Sequence, residues 1–320
     1  MKRAFIAFVG LIFWMTSWAQ QEQQYTQYMI NPFVLNPAVA GTQDFIDINL
    51  GFRGQWLGLE AAPITYYASG HGTFKKEEGQ YHHKGEHNDW HGIGGYVYQD
   101  YTGPIKRTSG QVAYAYNMPI THEVRLSMGM FFGLKSVAVR SDYWENIHDP
   151  QDGLFTKDFS TGPMPDLGVG IHVYHDYFFA GVSSFQVFKS DLRFGGSTDL
   201  VNPGKLNRHY FVTGGLNLPT SEHITLMPSI MLKYSDPAPV SVDVSMKIIY
   251  TERFWTGFSY RHKDSFSVIA GTEIHEQIDI SYAFDYTISR LRYRQIGSHE
   301  IILGLRLKHP KHPSCPGKYW

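Results

Sequence analysis

Apolar and polar residues alternate with a period of two along most of this chain. From Val240 to Tyr250, the residues Val240, Val242, Val244, Met246, Ile248 and Tyr250 share one parity, while Ser241, Asp243, Ser245 and Lys247 hold the other. Ile278, Ile280, Tyr282, Phe284 and Tyr286 alternate in the same way with Asp279, Ser281, Ala283 and Asp285. A strand sends successive side chains to opposite faces, so each such segment has one apolar and one polar face. The pattern predicts strands at 46–53, 62–74, 92–99, 106–116, 123–137, 165–175, 177–187, 207–217, 223–234, 240–250, 254–261, 266–273, 278–286 and 298–308. That is about fourteen, an even number as single-chain bacterial barrels have.

Charge distinguishes the two faces. In 123–135, Val124, Leu126, Met128, Met130, Phe132 and Leu134 oppose Arg125, Ser127, Gly129, Gly133 and Lys135, with Phe131 the exception. In the last strand Ile301, Leu303, Leu305 and Leu307 oppose Glu300, Gly304, Arg306 and Lys308. A charge facing lipid at mid-bilayer costs about 2–4 kcal/mol, so the charged parity is the lumen side. The predicted fold is all-β, a transmembrane antiparallel outer-membrane β-barrel. A soluble aromatic-rich β-sandwich is the alternative.

The start of the chain reads as an export signal. Lys2 and Arg3 precede the largely apolar stretch 4–16, and Ser17-Trp18-Ala19 offers small residues for cleavage before Gln20. A retained helical anchor is the other reading, but the apolar run falls short of the ~20 residues a spanning helix needs. No later run is long enough either, so a membrane-resident chain must cross with strands. The expected organisation is a signal peptide at 1–19, an irregular segment at 20–45, a barrel at 46–308 and a short tail at 309–320.

Connection lengths add a partial check. If the first strand rises from the periplasm, periplasmic turns fall at 117–122, 175–176, 218–222, 251–253 and 274–277, all short. The longer 138–164, 188–206 and 287–297 then become outer loops, as outer-membrane barrels prefer. The polar stretch 75–91 is long and lands on the periplasmic side, where it reads as an insertion.

Composition narrows function mainly by exclusion. The net charge of −1 gives no basis for nucleic-acid binding, and the single Cys315 cannot form an internal disulfide. Aromatic residues make up 15% of the chain, which suits interfacial girdles. The segment 20–41 is rich in Gln, Asn and Tyr and carries Pro32 and Pro37, which disfavour a central strand. It is either a flexible leader or a segment that plugs or lines the barrel through amide and phenol hydrogen bonds. Tyr25, Gln27, Tyr28, Asn31 and Asn36 supply those groups and are candidates for partner binding.

Other constellations have plainer readings. His82, His83, His87 and His91 gather near Glu86 and Asp89, and 83–87 has the His-x-x-Glu-His order of inverted zinc proteases. Gly85 and the polar flanks do not supply the helix that motif requires, so a solvated loop is expected and no metal or other cofactor is assigned. Arg53, at the end of the first strand, and Asp166 suit structural pairing across strands inside a lumen. Ser281 and Ser298 lack a catalytic context beside His299, Glu300 and Asp285, so no enzymatic activity is expected.

The blocks Tyr25-Thr26-Gln27-Tyr28-Met29, Asn31-Pro32 and Asn36-Pro37-Ala38-Val39-Ala40-Gly41 resemble the N-terminal signature of the PorP/SprF family. The resemblance continues through Phe52-Arg53-Gly54-Gln55-Trp56, Ala62-Pro63-Ile64-Thr65, Pro165-Asp166-Leu167-Gly168-Val169-Gly170, Pro228-Ser229 and Gly257-Phe258-Ser259-Tyr260-Arg261. It ends with Tyr282-Ala283-Phe284-Asp285-Tyr286, Gly297-Ser298-His299-Glu300-Ile301 and the tail Cys315-Pro316-Gly317-Lys318-Tyr319-Trp320. The 75–91 stretch departs from the family's compact pattern. The resemblance implies an outer-membrane component of the type IX secretion and gliding machinery of Bacteroidetes. Its implied partners are a secreted cargo or adhesin, periplasmic ring and translocon components, and outer-membrane lipid. Asp142, Glu145, Asp191 and Arg193 on the outer loops, and Cys315 and Trp320 in the tail, join the partner-binding candidates. A porin or small-solute channel is the rival function, and an outer-membrane hydrolase a second.

Overall fold

Fourteen strands pair edge to edge until the last meets the first, closing an antiparallel barrel. The structure is a computed structural model and describes residues 23–74, 89–121, 123–140, 159–192, 204–236 and 238–307. The strands are β1 (Ile46–Gly54), β2 (Ile64–Phe74), β3 (Trp90–Thr102), β4 (Ile105–Pro119), β5 (Arg125–Val139), β6 (Met164–Tyr174) and β7 (Phe178–Phe185). There follow β8 (His209–Leu216), β9 (Ile224–Ser235), β10 (Ser241–Tyr250), β11 (Phe254–Arg261), β12 (Ser265–His275), β13 (Ile278–Thr287) and β14 (Ser298–Leu307). Short pieces at Phe159–Ser160 and Leu218–Ser221 lengthen the ladders of β5 and β9, and Asp191–Leu192 pairs with Gly204–Lys205 outside the barrel. The β1–β14 seam pairs Ile46 with Leu307 through Gly54 with His299. Closure leaves no unpaired edge, which is what lets strands cross lipid. Among the described residues no helix is long and apolar enough to cross a membrane.

The parity predicted from sequence is realised. On β10, Val244 is 52% exposed and its neighbour Ser245 3%; on β14, Ile301 is 42% exposed and Glu300 0%. Apolar side chains face outward and polar ones inward, the reverse of a soluble core. The lumen differs from expectation in one respect: it is not uniformly polar. Tyr67, Tyr96, Phe131, Phe185, Phe211 and Ile302 also point inward and are buried. Phe131, the exception in the alternation of its strand, is one of them.

The strands also run longer than the alternation alone suggested at β3 and β4. β3 begins at Trp90 because its indole donates to the Gly41 carbonyl at 2.6 Å, with the Arg125 guanidinium 4.3 Å above the ring. Connections at 120–124, 175–177, 217–223, 251–253 and 276–277 lie on the rim where the chain joins β1 and leaves β14. The stretches 55–63, 159–163, 186–192, 204–208 and 288–297 lie on the opposite rim, called here the loop rim.

One consequence is directly measurable. Val244→Arg places a charge in lipid and should lower unfolding stability in liposomes by about 2–4 kcal/mol. Ser245→Ala, one residue away on the lumen face, should cost no more than about 1.5 kcal/mol, the loss of its hydrogen bonds. Urea unfolding followed by tryptophan fluorescence separates the two.

Candidate functional site

The lumen holds the chain's own residues 23–45. Pro32 and Pro37 each open a short 3-10 turn, Pro32–Val34 and Pro37–Val39, where proline's fixed φ and missing N–H are tolerated. Asn36 caps the second turn, its Oδ1 accepting from the Ala38 amide at 2.9 Å. Phe33, Ala38 and Ala40 have no exposed surface, and Tyr25, Tyr28, Val34 and Val39 are buried. The segment starts beside Arg261, at the loop-rim end of β11, and descends to Trp90 and Asn117 at the opposite ends of β3 and β4.

A charge cluster on the barrel wall grips the upper part. Arg53 donates to Glu300 at 2.8 Å and to Asp285 at 2.7 Å, and its side chain is 2% exposed. Thr26 completes the network. Its amide donates to Glu300 at 2.8 Å, its hydroxyl donates to Asp285 at 2.7 Å, and the same hydroxyl accepts from Arg53 at 2.7 Å. The Gln27 side-chain amide donates to the Glu300 carbonyl at 3.1 Å. Register explains the convergence: Arg53 lies opposite Glu300, and Asp285 is one diagonal step away on β13, opposite Ser298. Arg261, paired with Asp243 at 2.9 Å, also binds the Gln24 carbonyl oxygen of the side chain at 3.3 Å.

Aromatic packing and side-chain hydrogen bonds fix the segment along its length. Phe33 packs 5.1 Å from Phe131 and 4.7 Å from His71, and Tyr25 meets Tyr67 edge-on at 5.0 Å. Asn31 donates to Ser69 at 2.8 Å, Tyr28 to Ser245 at 3.0 Å, and Asn36 to the Ile171 carbonyl at 3.0 Å. Beneath the second turn runs a row of small residues in register: Gly92 opposite Ala115, Ala115 opposite Gly129, and Gly129 opposite Gly170. A Cβ on Gly129 would stand 2.5 Å from the Ala38 nitrogen, and one on Gly92 or Gly170 would collide with Ala40 or Asn36. Four adjacent strands thus form a shallow floor on which the turn lies against bare backbone.

The structure brings five of the sequence candidates, Tyr25, Gln27, Tyr28, Asn31 and Asn36, together inside the barrel, bonded to its wall. Asp191 lies apart, in the small hairpin beyond the loop rim, 3.7 Å from Lys205. Asp142, Glu145, Arg193, Cys315 and Trp320 lie outside the described residues, as do His82, His83 and His87. His91 faces outward and its Nδ1 is 2.6 Å from the Tyr114 hydroxyl. Sequence reading missed the glycine row and the part played by Thr26. Glycines recurring on the inward parity of neighbouring strands were the available signal for a close approach.

His299, Glu300 and Asp285 do not form a catalytic set. His299 faces outward, bonded to Tyr282 at 2.6 Å, while both carboxylates face the lumen and bind Arg53. Among the described residues no group of three or more His, Cys, Asp or Glu side chains is placed to hold a metal.

Arg53→Met should strand two buried carboxylates and destabilise the barrel by about 3–5 kcal/mol. Adding Asp285→Asn and Glu300→Gln should recover part of that loss, because no unpaired charge then remains. A urea-unfolding midpoint lower in the triple variant than in the single one would contradict this account.

Comparison with known proteins follows the same lines. No curated protein matches the chain. Among solved structures, a TodX mutant, a monoaromatic hydrocarbon channel, is similar with a TM-score of 0.52 and 10% identity, covering 90% of this chain and 95% of that one. The Ralstonia pickettii toluene transporter TbuX is similar with a TM-score of 0.51 and 9% identity, covering 88% and 93%. At such identities the likeness is one of fold. The family of type IX secretion system membrane proteins PorP/SprF matches residues 17–305, and the chain, an outer-membrane β-barrel, belongs to that family.

Proposed function

We propose that this protein is a closed barrel that works in type IX secretion by binding: it helps deliver or anchor a cognate secreted surface protein of the gliding-adhesin type. The observation that carries this reading is the occupied lumen. Residues 23–45 bond to strands on every side of the wall, from Glu300 on β14 to Asn117 on β4 and Ser183 on β7. A barrel filled in this way offers surfaces rather than a conduit. Cargo would meet the loop rim, where 138–164 and 188–206 carry Asp142, Glu145, Asp191 and Arg193. The periplasmic ring and translocon would meet the opposite rim and the tail bearing Cys315 and Trp320. Export by a cleaved signal at 1–19 belongs to the same reading.

One observation favours a second reading, a channel for small apolar solutes. A small, mostly apolar cavity of about 40 Å³ lies between the inner segment and the wall, lined by Met29, Leu35, Val39, Phe179 and Met227. The solved channels that resemble the barrel are named for hydrocarbons, which is a property of those proteins.

Two measurements separate the readings. A tagged copy purified from native outer membrane in mild detergent should bring down a large secreted protein or periplasmic ring components, identified by mass spectrometry. In planar bilayers the wild type should show no steady conductance, whereas Gly129→Val, which fills the floor of the inner segment, should open stepwise conductance. A wild-type barrel that conducts and carries no partner would transfer the assignment to the channel.

A further inference from the structure

The connection from β13 to β14 is chemically unlike the rest of the loop rim. Residues 286–298 carry Arg290, Arg292 and Arg294 and no carboxylate. Arg290–Arg294 form a 3-10 turn with every residue exposed, and Tyr293 and Ile296 are 76% and 71% exposed. The turn thus sets three cationic side chains beside exposed apolar ones.

None of the three arginines forms an ion pair with a carboxylate of the described residues. The nearby Asp264 carboxylate is taken by Arg261 at 3.3 Å. Its backbone carbonyl accepts from Ile288 at 2.8 Å, so the 262–264 turn, which carries the exposed Lys263, adjoins the arginine turn. The turn is also held in place. Leu57 and the 296–297 backbone exchange two hydrogen bonds, at 2.9 and 2.8 Å. Arg292 lies 4.7 Å over the Tyr293 ring and donates to its hydroxyl.

The level of the turn relative to the bilayer can be read from the outer wall. Tyr260, Phe266 and Tyr286 stand opposite one another on β11, β12 and β13, all on the lipid-facing parity and all exposed. Such an aromatic row marks the headgroup level of a membrane. β13 ends at Thr287, one residue beyond Tyr286, and the arginine turn begins at Arg290, so the turn lies just outside this aromatic row. Its arginines therefore lie at or just outside the headgroup level, with the exposed Leu291, Tyr293 and Ile296 beside them.

We propose that the 288–296 turn, with Lys263, is a seat for a phosphorylated glycolipid of the outer leaflet, lipid A being the simplest form. Guanidinium forks pair with phosphate oxygens in two-point geometry, and a compact apolar group beside them suits an acylated sugar. Of the reading above, the proposal uses only the assignment of the loop rim to the cell exterior.

The test is native mass spectrometry of the full-length barrel in detergent, titrated with bisphosphorylated lipid A, dephosphorylated lipid A or phosphatidylglycerol. The wild type should retain lipid A, and the triple variant Arg290→Gln, Arg292→Gln, Arg294→Gln should retain at least about tenfold less. Both should show the same heat-modifiable mobility on gels, since the substituted side chains are exposed. Tyr293→Ala with Ile296→Ala should weaken lipid A and dephosphorylated lipid A alike. Equal retention by wild type and triple variant would overturn the proposal. So would equal binding of phosphatidylglycerol, which would mark a generic anionic patch. If instead the triple variant keeps lipid A and loses a co-purifying protein, the turn is a protein interface. Because the assay needs no cargo, its failure leaves the secretion reading to its own test.

Discussion

The barrel closes where β1 meets β14, and Arg53 and Glu300 face each other across that seam. The rest of the structure depends on this pair. In a lumen with no exposed surface at Glu300, neither charge tolerates separation from the other. Glu300 also takes the Thr26 amide, and Arg53 also takes the Thr26 hydroxyl. The interaction that joins the first and last strands is therefore the one that holds the inner segment. Closing the wall and filling the lumen are a single event in structural terms, because each completes the coordination of the same guanidinium.

Filling imposes its own constraint on the wall. A barrel of this size holds water unless something solid occupies it. Here the occupant is irregular backbone, which needs partners for its own amides and carbonyls. Asn117, Trp90 and Ser183 donate to its carbonyls from the wall, and Glu300 accepts from the Thr26 amide. The wall must also approach closely, and the Gly92–Ala115–Gly129–Gly170 row is where it does. Inward-facing Phe131, Phe185 and Phe211 then make sense as one side of an ordinary hydrophobic contact, with Phe33 and Tyr25 contributing to the other.

The strands were legible because lipid enforces the alternation: a charge on the wrong parity is costly, so Val244 and Ser245 or Ile301 and Glu300 declare their faces locally. What was not legible is whatever depends on distant registers. Thr26 and Asp285 are 259 positions apart, and nothing near either one names the other. Phe131 was visible as a break in the pattern, but a break says only that something apolar faces inward, and not what meets it. Trp90 was lost to the loop before it, because the Gly41 carbonyl that anchors it belongs to a segment with no period of its own. His299 and Glu300 look like chemical neighbours in sequence, and the pleat puts the wall of the barrel between them.

The same network constrains how the barrel can close around its contents. The inner segment precedes every strand in the chain, yet its strongest partners, Asp285 and Glu300, come from the last two strands. A sheet that closed first would have to readmit a stretch with buried phenols, amides and two proline turns through a rim, against its own closed ladder. A sheet that curls around the segment meets no such barrier, since Ser69, Tyr96 and the glycine floor on earlier strands can hold residues 25–40 before the seam forms. Arg53 is the residue at which inner segment, first strand and last strand come together.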